Sequence, residues 1–343
     1  MNIFQHIGQS FLRLVRAVHS ISAGLRFWGV LSVLGWGPVF AQAPVPPLPL
    51  GGVLVLVPSL EAGVQMPAYW FAPATTGADL AAPAMVALHG CDGLLNAQGG
   101  LGTQRLRYMR LLREAGVGVL YTDSFTPRGE KSICSQKARA RKITEENRRL
   151  DVYGALNWLA AQPGVDAARL GVIGWSNGGQ ATLAVADRSM DVVASAAVKP
   201  AVLVAFYPGC AAFERSGRYA VVAPLLVMSG ALDDWTPPAP CQRLTQRLQA
   251  QTAAASGTAT AFEVQYIEFA DSYHAFDSAL PPKVRGDVGG TPSGKATVGG
   301  NPAAREESAA AMLRFLSKHL HLAVQPAQES PARQATKQSQ VGQ

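Results

Sequence analysis

The chain contains few residues of the kinds that bind metals. It has six histidines and four cysteines among 343 residues, and no two cysteines have the C-x-x-C spacing of common zinc sites. We therefore expect neither a metal nor a cofactor. Charged residues are also sparse, at 15%, whereas hydrophobic residues make up 48%, enough for a sheet buried beneath helices. After residue 41 no apolar run is long enough to cross a bilayer, which predicts a soluble mature protein without stable membrane association.

The first 41 residues contain no acidic side chain. Arg13, Arg16 and Arg26 precede an apolar stretch at 27–41, an order that is typical of a secretory signal peptide. We expect cleavage after Ala41 and a periplasmic or secreted product. An uncleaved anchor, with the rest of the chain outside the cytoplasm, is the alternative. Without these arginines the formal net charge falls from +7 to +4, which is too small to indicate a polyanionic partner.

A run of basic residues at 128–142 contains no aromatic residue on which bases could stack, so we expect no nucleic-acid partner. The run is either a solvated surface, which is the simpler interpretation, or a feature that attracts a carboxylate-bearing substrate. Its members are Arg128, Lys131, Lys137, Arg139, Arg141 and Lys142.

A G-x-S-x-G pentapeptide places Ser176 between a strand-like and a helix-like segment. The apolar run at 170–173 favours a strand, and the alanine-rich stretch at 180–186 favours a helix. A nucleophilic serine has to project from a sharp strand-to-helix turn, and Gly174 and Gly178 leave room for that turn. The pattern therefore predicts that Ser176 is a catalytic nucleophile.

One histidine is placed to act as the general base. His274 follows the serine, on a predicted loop after the strand-like run at 262–269, where a base is expected. His89 precedes the serine, so we expect it to orient its own loop by hydrogen bonding. The other four lie in the predicted signal peptide or at the end of a terminal amphipathic segment: His6, His19, His319 and His321.

Four motifs follow one another along the chain: H-G-C-D-G from His89, G-W-S-N-G-G from Gly174, G-A-L-D-D-W-T-P from Gly230 and Y-H-A-F from Tyr273. Together they resemble the dienelactone hydrolase family. The resemblance spans roughly residues 51–320 and implies an α/β-hydrolase fold, a mostly parallel central sheet with helices on both faces. The best-known members of the family use a cysteine nucleophile, whereas this chain has a serine. Because a serine suits general carboxylic esters at least as well as lactones, the substrate stays open between the two.

The motif from Gly230 contains two adjacent carboxylates that compete for the role of triad acid. Its G-x-x-D-x-x-x-P spacing is similar to the acid turn of many α/β-hydrolases and favours Asp233 as the partner of the catalytic histidine. We expect Asp234 to cap or brace the turn.

The fold implied by the resemblance also predicts how a substrate is held. Two backbone amides would form the oxyanion hole, that of Cys91 in the loop after the strand at 84–88 and that of Asn177 after the nucleophile. We expect Trp175 and Trp235 to line the acyl pocket.

Four cysteines in an exported chain predict two disulfides, for which three pairings are possible. We favour Cys91 with Cys134 and Cys210 with Cys241. The first pair would hold the oxyanion loop against the loop around Ser132, and the second would join neighbouring loops at the carboxyl edge of the sheet.

We expect one catalytic domain at 51–321, preceded by a proline-rich linker at 42–50 and followed by a disordered tail at 322–343. Alternating strand and helix patterns predict a parallel sheet with two antiparallel strands at its edge. The glycine-rich stretch at 285–301 is expected to be a mobile loop, either a lid or, more simply, a tolerated insertion.

The sequence thus predicts an exported serine hydrolase that cleaves a small-molecule ester or lactone through an acyl-enzyme. An oligopeptidase- or depolymerase-like hydrolase is one alternative, since Gly-Trp-Ser-x-Gly-Gly also occurs in oligopeptidase-like enzymes. A secreted binding protein on the same fold is another, but such a protein has no need of a serine, an acid and a histidine in catalytic order.

Overall fold

The computed structural model describes residues 51–74, 81–255 and 261–322, all within one compact unit. The predicted signal peptide, the linker and all of the predicted tail except Leu322 lie outside the described residues. The described part is built around one large sheet, as predicted.

Eight strands form this sheet in the order β1-β2-β4-β3-β5-β6-β7-β8. The pairs β1/β2 and β2/β4 are antiparallel, and all other neighbouring pairs are parallel. The predicted antiparallel edge and parallel centre are therefore both present. The strands are β1 (Val53–Pro58), β2 (Gln65–Phe71), β3 (Ala82–Leu88), β4 (Gly118–Thr122), β5 (Val165–Trp175), β6 (Val202–Phe206), β7 (Leu225–Gly230) and β8 (Val264–Phe269).

Helices cover both faces of the sheet because the central strands are apolar on both sides. Val172 and Ile173, adjacent on β5, belong to separate core clusters on opposite faces. One cluster contains side chains of α2, α3, α5 and α6, and the other contains side chains of α1 and α7. The helices are α1 (Thr103–Glu114), α2 (Glu145–Ala160), α3 (Asn177–Ala186), α4 (Asp191–Ala194), α5 (Ala211–Arg215), α6 (Pro238–Ala254) and α7 (Pro302–Leu320).

Helix α2 begins with a capping box that fixes its first residue. The Thr144 hydroxyl accepts a hydrogen bond from the Asn147 amide, and the Asn147 side chain accepts one from the Thr144 amide at 2.9 Å. Two glutamates in the first turn complement the positive end of the helix dipole. The helix also buries two arginines, which its sequence pattern does not predict.

The stretch at 285–301, predicted as a mobile loop, has strand structure at Arg285 and at Ala296–Val298. Two short antiparallel strands, β9 (Lys283–Arg285) and β10 (Ala296–Val298), make this region a hairpin. Neighbouring loops hold the hairpin in place, because the Gly289 amide donates to the Cys134 carbonyl at 2.8 Å and the Gly299 amide donates to the His274 carbonyl at 2.9 Å. A Cβ at Gly289 would collide with the Gln136 carbonyl, so here glycine permits a close approach.

Candidate active site

Ser176 lies at the junction of β5 and α3, in a backbone conformation that few residues adopt. Its φ of 55° and ψ of −117° make a sharp turn that directs the side chain away from both elements. The flanking glycines are required by close packing. A Cβ at Gly174 would collide with the Gly178 carbonyl, and one at Gly178 would collide with the Leu88 carbonyl.

His274 lies in the loop after β8, with its ring between the predicted nucleophile and the predicted acid. Its Nε2 is 2.8 Å from Ser176 Oγ, and its Nδ1 is 2.9 Å from Asp233 Oδ2. The imidazole is almost fully buried. A ring whose Nδ1–H donates to the carboxylate leaves Nε2 free to accept the serine proton, as general base catalysis requires.

Asp233 follows β7 and is held by its own turn. Its Oδ1 accepts hydrogen bonds from the amides of Trp235 and Thr236, at 2.9 and 2.8 Å, and its Oδ2 accepts one from the Thr236 hydroxyl. These bonds leave one oxygen directed at His274.

Asp234 was expected to cap or brace this turn; Asp233 caps it, whereas Asp234 braces it from outside. The Asp234 carboxylate accepts hydrogen bonds from the Thr297 amide and hydroxyl, at 2.8 and 3.1 Å. Asp234 therefore attaches the acid turn to the β9–β10 hairpin, a long-range contact that local spacing does not reveal.

The two predicted oxyanion donors both belong to segments next to the serine. Asn177 is the first residue of α3, and Cys91 lines the cavity in front of Ser176. Cys91 forms a disulfide with Cys134, and its carbonyl accepts hydrogen bonds from the Ile133 amide and the Ser132 hydroxyl. The structure thus joins the Cys91 loop to the loop around Ser132. Cys210 and Cys241 form the second disulfide.

His89 is buried, and both of its ring nitrogens contact the backbone. Its Nδ1 is 2.8 Å from the Gly90 carbonyl oxygen, and its Nε2 is 3.3 Å from the Ser124 amide. Burial holds the pKa of His89 well below 6.5. The neutral ring therefore donates through Nδ1 and accepts through Nε2.

A cavity of about 160 Å³ opens at the serine and is bounded by aromatic and cationic side chains. Trp235 packs its ring 4.8 Å from that of His274 and lies beneath the Arg285 guanidinium at 5.3 Å. Trp175 also borders the cavity, although only 5% of it is exposed. Further lining residues are His89, Gly90, Asp92, Gln104, Arg105, Tyr207, Ala275 and Val298.

A buried carboxylate that sequence reasoning missed holds one wall of this cavity. Asp277 accepts hydrogen bonds from Gln104 Nε2 at 2.8 Å, the Tyr207 hydroxyl at 2.9 Å and Trp175 Nε1 at 3.1 Å. Burial raises the pKa of Asp277. Its position three residues after His274 is the only hint in the sequence, since its donors come from distant segments.

Sequence reasoning also missed Arg148 of α2, which is 2% exposed. Its Nη1 donates to the His89 carbonyl at 3.0 Å and to Asn177 Oδ1 at 2.6 Å. Burial lowers the pKa of Arg148 to about 10, so the side chain stays protonated at neutral pH.

The basic run at 128–142 does not border the cavity at Ser176. Arg128 is half-buried and pairs with Asp151 and Glu61 at 2.8 and 2.6 Å. Four members lie exposed on the surface: Lys131, Lys137, Arg139 and Lys142.

Within the described ranges, no three or more histidine, cysteine or acidic side chains are grouped so that they could hold a metal ion. None of the helices in that part of the chain is both long and apolar enough to span a membrane.

The mostly parallel sheet, the strained serine between β5 and α3, and the histidine on the loop after β8 define an α/β-hydrolase. A sequence profile of the dienelactone hydrolase family matches residues 97–320, which is more than half of the chain. The chain therefore belongs to the dienelactone hydrolase family, and the predicted family and fold are confirmed. No curated protein matched the sequence.

Solved structures with the same fold include enzymes of several activities. A dienelactone hydrolase-like promiscuous phosphotriesterase from metagenomic libraries is 19% identical, with a TM-score of 0.55 over 78% of this chain and 98% of that one. A thermophilic esterase from Thermogutta terrifontis is 15% identical, with a TM-score of 0.55 over 81% of this chain and 95% of that one. A puromycin-hydrolyzing peptidase from Mycobacterium tuberculosis is 18% identical, with a TM-score of 0.54 over 82% of this chain and 41% of that one. Such low identities establish the fold alone.

Proposed function

We propose that this member of the family is an exported serine hydrolase that cleaves carboxylic esters or lactones of small molecules. One observation carries the proposal: Ser176 Oγ, His274 and Asp233 Oδ2 form a continuous series with separations of 2.8 and 2.9 Å. These are the distances that proton transfer from the serine requires.

The reaction has two steps. Ser176 Oγ attacks the ester carbonyl carbon while His274 takes its proton, and the amides of Cys91 and Asn177 stabilise the charge on the carbonyl oxygen. The protonated histidine then donates that proton to the leaving alcohol, giving an acyl-enzyme. Water, deprotonated by His274, attacks the acyl carbon, and the serine recovers its proton as the acid departs.

The cavity supports a small acyl group. A volume of about 160 Å³, bounded by Trp175, Trp235 and Tyr207, suits a short acyl chain or a lactone ring. The family name favours a lactone, whereas the serine nucleophile and the esterase of similar fold favour simple esters.

The test is hydrolysis of short-chain aryl esters, together with labelling by a fluorophosphonate. We expect the wild type to hydrolyse and to label, and Ser176→Ala to lose both, with kcat lower by about 10⁴-fold or more. Ser195→Ala is a matched control, because this exposed serine donates only to the Asp191 carbonyl of its own short helix. It should behave as wild type.

Other results would redirect the assignment. Activity that survives in Ser176→Ala would mean that another residue is the nucleophile. If neither protein reacts, a binding role takes the lead. Peptide anilides assayed beside the esters distinguish an esterase from a peptidase, which is relevant because a peptidase shares the fold.

Export rests on the predicted signal peptide and on the two disulfides, which persist in oxidising compartments. N-terminal sequencing of protein from the periplasm or medium should start at Gln42. A product that retains residues 1–41 in the membrane fraction would indicate an anchor.

A further inference from the structure

Arg148 makes contacts that link the two halves of the predicted oxyanion hole. A single guanidinium nitrogen, Nη1, donates both to the His89 carbonyl and to Asn177 Oδ1. His89 lies two residues before Cys91 and belongs to the loop that carries the first amide donor. Asn177 carries the second donor on its own backbone. Arg148 therefore connects, through one atom, two segments that are far apart in the sequence.

No ion pair among the described residues compensates the buried charge of Arg148. Within the described residues Arg148 forms no salt bridge, and its Nε and Nη2 have no hydrogen-bond partner. Asp151 and Asp123 influence it only through space, since Asp151 pairs with Arg128 and Asp123 accepts bonds from its own turn. Burying an unpaired guanidinium is costly, and costs of this kind are tolerated mainly where function requires them.

The Arg148 side chain also packs against Phe125. The Arg148 guanidinium lies 5.3 Å from the centre of the Phe125 ring, and the same ring packs edge-on against His89 at 4.4 Å. The guanidinium is thus held on one side by an aromatic ring and on another by two acceptors, which restricts its movement.

We propose that Arg148 is a positioning residue that sets the distance between the Cys91 and Asn177 amides and places a fixed positive charge behind them. This inference rests on the proposed function, because it concerns the oxyanion hole of that reaction. The hole is complementary to a tetrahedral intermediate, whose oxygen carries a full negative charge, and much less so to the neutral carbonyl of the substrate.

Kinetic behaviour should follow from that difference. Loss of Arg148 should lower kcat and leave KM nearly unchanged, since the donors bind the charged intermediate more strongly than the ground state. Because Arg148 acts through two amides that remain present, we expect kcat to fall by about 10- to 100-fold, less than or equal to the loss of one direct oxyanion donor.

Three variants test the proposal in the full-length mature protein. Arg148→Met removes the charge and both hydrogen bonds, whereas Arg148→Lys keeps the charge on a shorter side chain. Arg149→Met is the matched control, because Arg149 is the adjacent buried arginine of α2 but donates to the Ala184 carbonyl, away from the donors. We would measure kcat and KM for 4-nitrophenyl acetate, the melting temperature, and inhibition by phenylboronic acid, which forms a tetrahedral anionic adduct with serine.

Support for the proposal would be a lower kcat in Arg148→Met, boronate affinity reduced by a similar factor, and partial recovery in Arg148→Lys. Arg149→Met should lose thermal stability while keeping its kcat. Equal kcat values for the wild type and Arg148→Met, or equal losses in Arg148→Met and Arg149→Met, would overturn the positioning role while leaving the hydrolase assignment intact.

A second route applies if Arg148→Met does not fold. Asn177→Ala removes one acceptor of Arg148 but retains the backbone amide, and it should lower kcat by roughly 3- to 10-fold. Full activity in both Asn177→Ala and Arg148→Lys would refute the proposal. A wild type that neither turns over esters nor labels with the fluorophosphonate would overturn the proposed function, and this inference with it.

Discussion

The two adjacent aspartates after β7 show how one position along a turn changes what a carboxylate can do. Asp233 directs an oxygen at His274, whereas Asp234 faces the hairpin and contacts Thr297. Their chemistry is identical, so only their contacts separate the roles. A pair of conservative variants can therefore test the assignment of the triad acid.

We expect Asp233→Asn to lower kcat by about 10³- to 10⁴-fold, since an amide cannot hold the histidine in the required tautomer. Asp234→Asn should keep kcat within about threefold of wild type and raise KM modestly, because the hairpin that it anchors carries Arg285 and Val298 of the cavity wall. Steady-state kinetics on one aryl ester suffices. The reverse pattern would transfer the acid role to Asp234.

The burial of His89 should make the stability of the protein depend on pH. Unfolded His89 takes up a proton below about pH 6.5, whereas burial keeps the folded side chain neutral, so acid favours unfolding. The free energy of unfolding should therefore fall as the pH drops below 6.5, with a contribution from His89 of up to ~1.4 kcal/mol per pH unit.

Urea denaturation between pH 7 and 5 measures this slope, which should be smaller in His89→Gln than in the wild type. His319→Gln is the control and should change the slope less. Burial also lowers the pKa of His319, but a hydrogen bond to Glu263 partly offsets that effect. An unchanged slope in His89→Gln would show that the folded protein also protonates His89.

At the scale of loops and strands, the two disulfides have different relations to the site. The Cys91–Cys134 bond holds the loop of the proposed Cys91 oxyanion donor and, through the Cys134 carbonyl, the β9–β10 hairpin. The Cys210–Cys241 bond joins the start of α5 to α6. We expect only the first to affect catalysis.

Replacing both cysteines of either pair by alanine should reduce the free energy of unfolding by about 2–4 kcal/mol, because the bridged segments are similar in length. The Cys91/Cys134 double variant should also lose kcat, while the Cys210/Cys241 variant keeps it. Denaturation curves measure the free energy of unfolding, and ester kinetics measure kcat, for both double variants. Equal kcat in the two variants would mean that backbone hydrogen bonds alone hold the Cys91 loop.

The elements that sequence patterns predicted best are those whose signal is local. The apolar runs that became β3, β5, β6 and β7 are buried on both faces, and their alternation with helical segments predicts a parallel sheet. The hairpin was missed because its strands are three residues long and its composition is that of a loop. Its order comes from contacts with the Cys134 carbonyl and Asp234, which lie far away in the sequence.

For the site, the small number of histidines and the order of the motifs along the chain were informative. A serine in a G-x-S-x-G turn, followed by an aspartate and one eligible histidine, predicts the three side chains that the structure brings together. Arg148 and Asp277 could not be predicted in this way, because charged residues ordinarily lie at the surface. Their burial follows from donors and acceptors that only the folded chain assembles.

At the scale of the whole molecule, the candidate site draws on nearly the full length of the described chain. Its cavity is lined from His89 to Val298, and its strands enter the sheet out of sequence order, with β3 between β4 and β5. The geometry of the candidate site therefore depends on segments that follow β3, β5, β6, β7 and β8.

That strand order has a consequence for how the molecule is made. β3 is synthesised early, but its neighbour β5 is synthesised many residues later. Parallel pairing between strands so far apart in the sequence forms slowly. Until β5 is made, an incomplete chain would expose one unpaired edge of a buried, wholly apolar strand, a surface prone to aggregation. Export in an unfolded state followed by oxidation would delay this pairing until the whole chain is available, so secretory chaperones should matter more for yield than the final stability does.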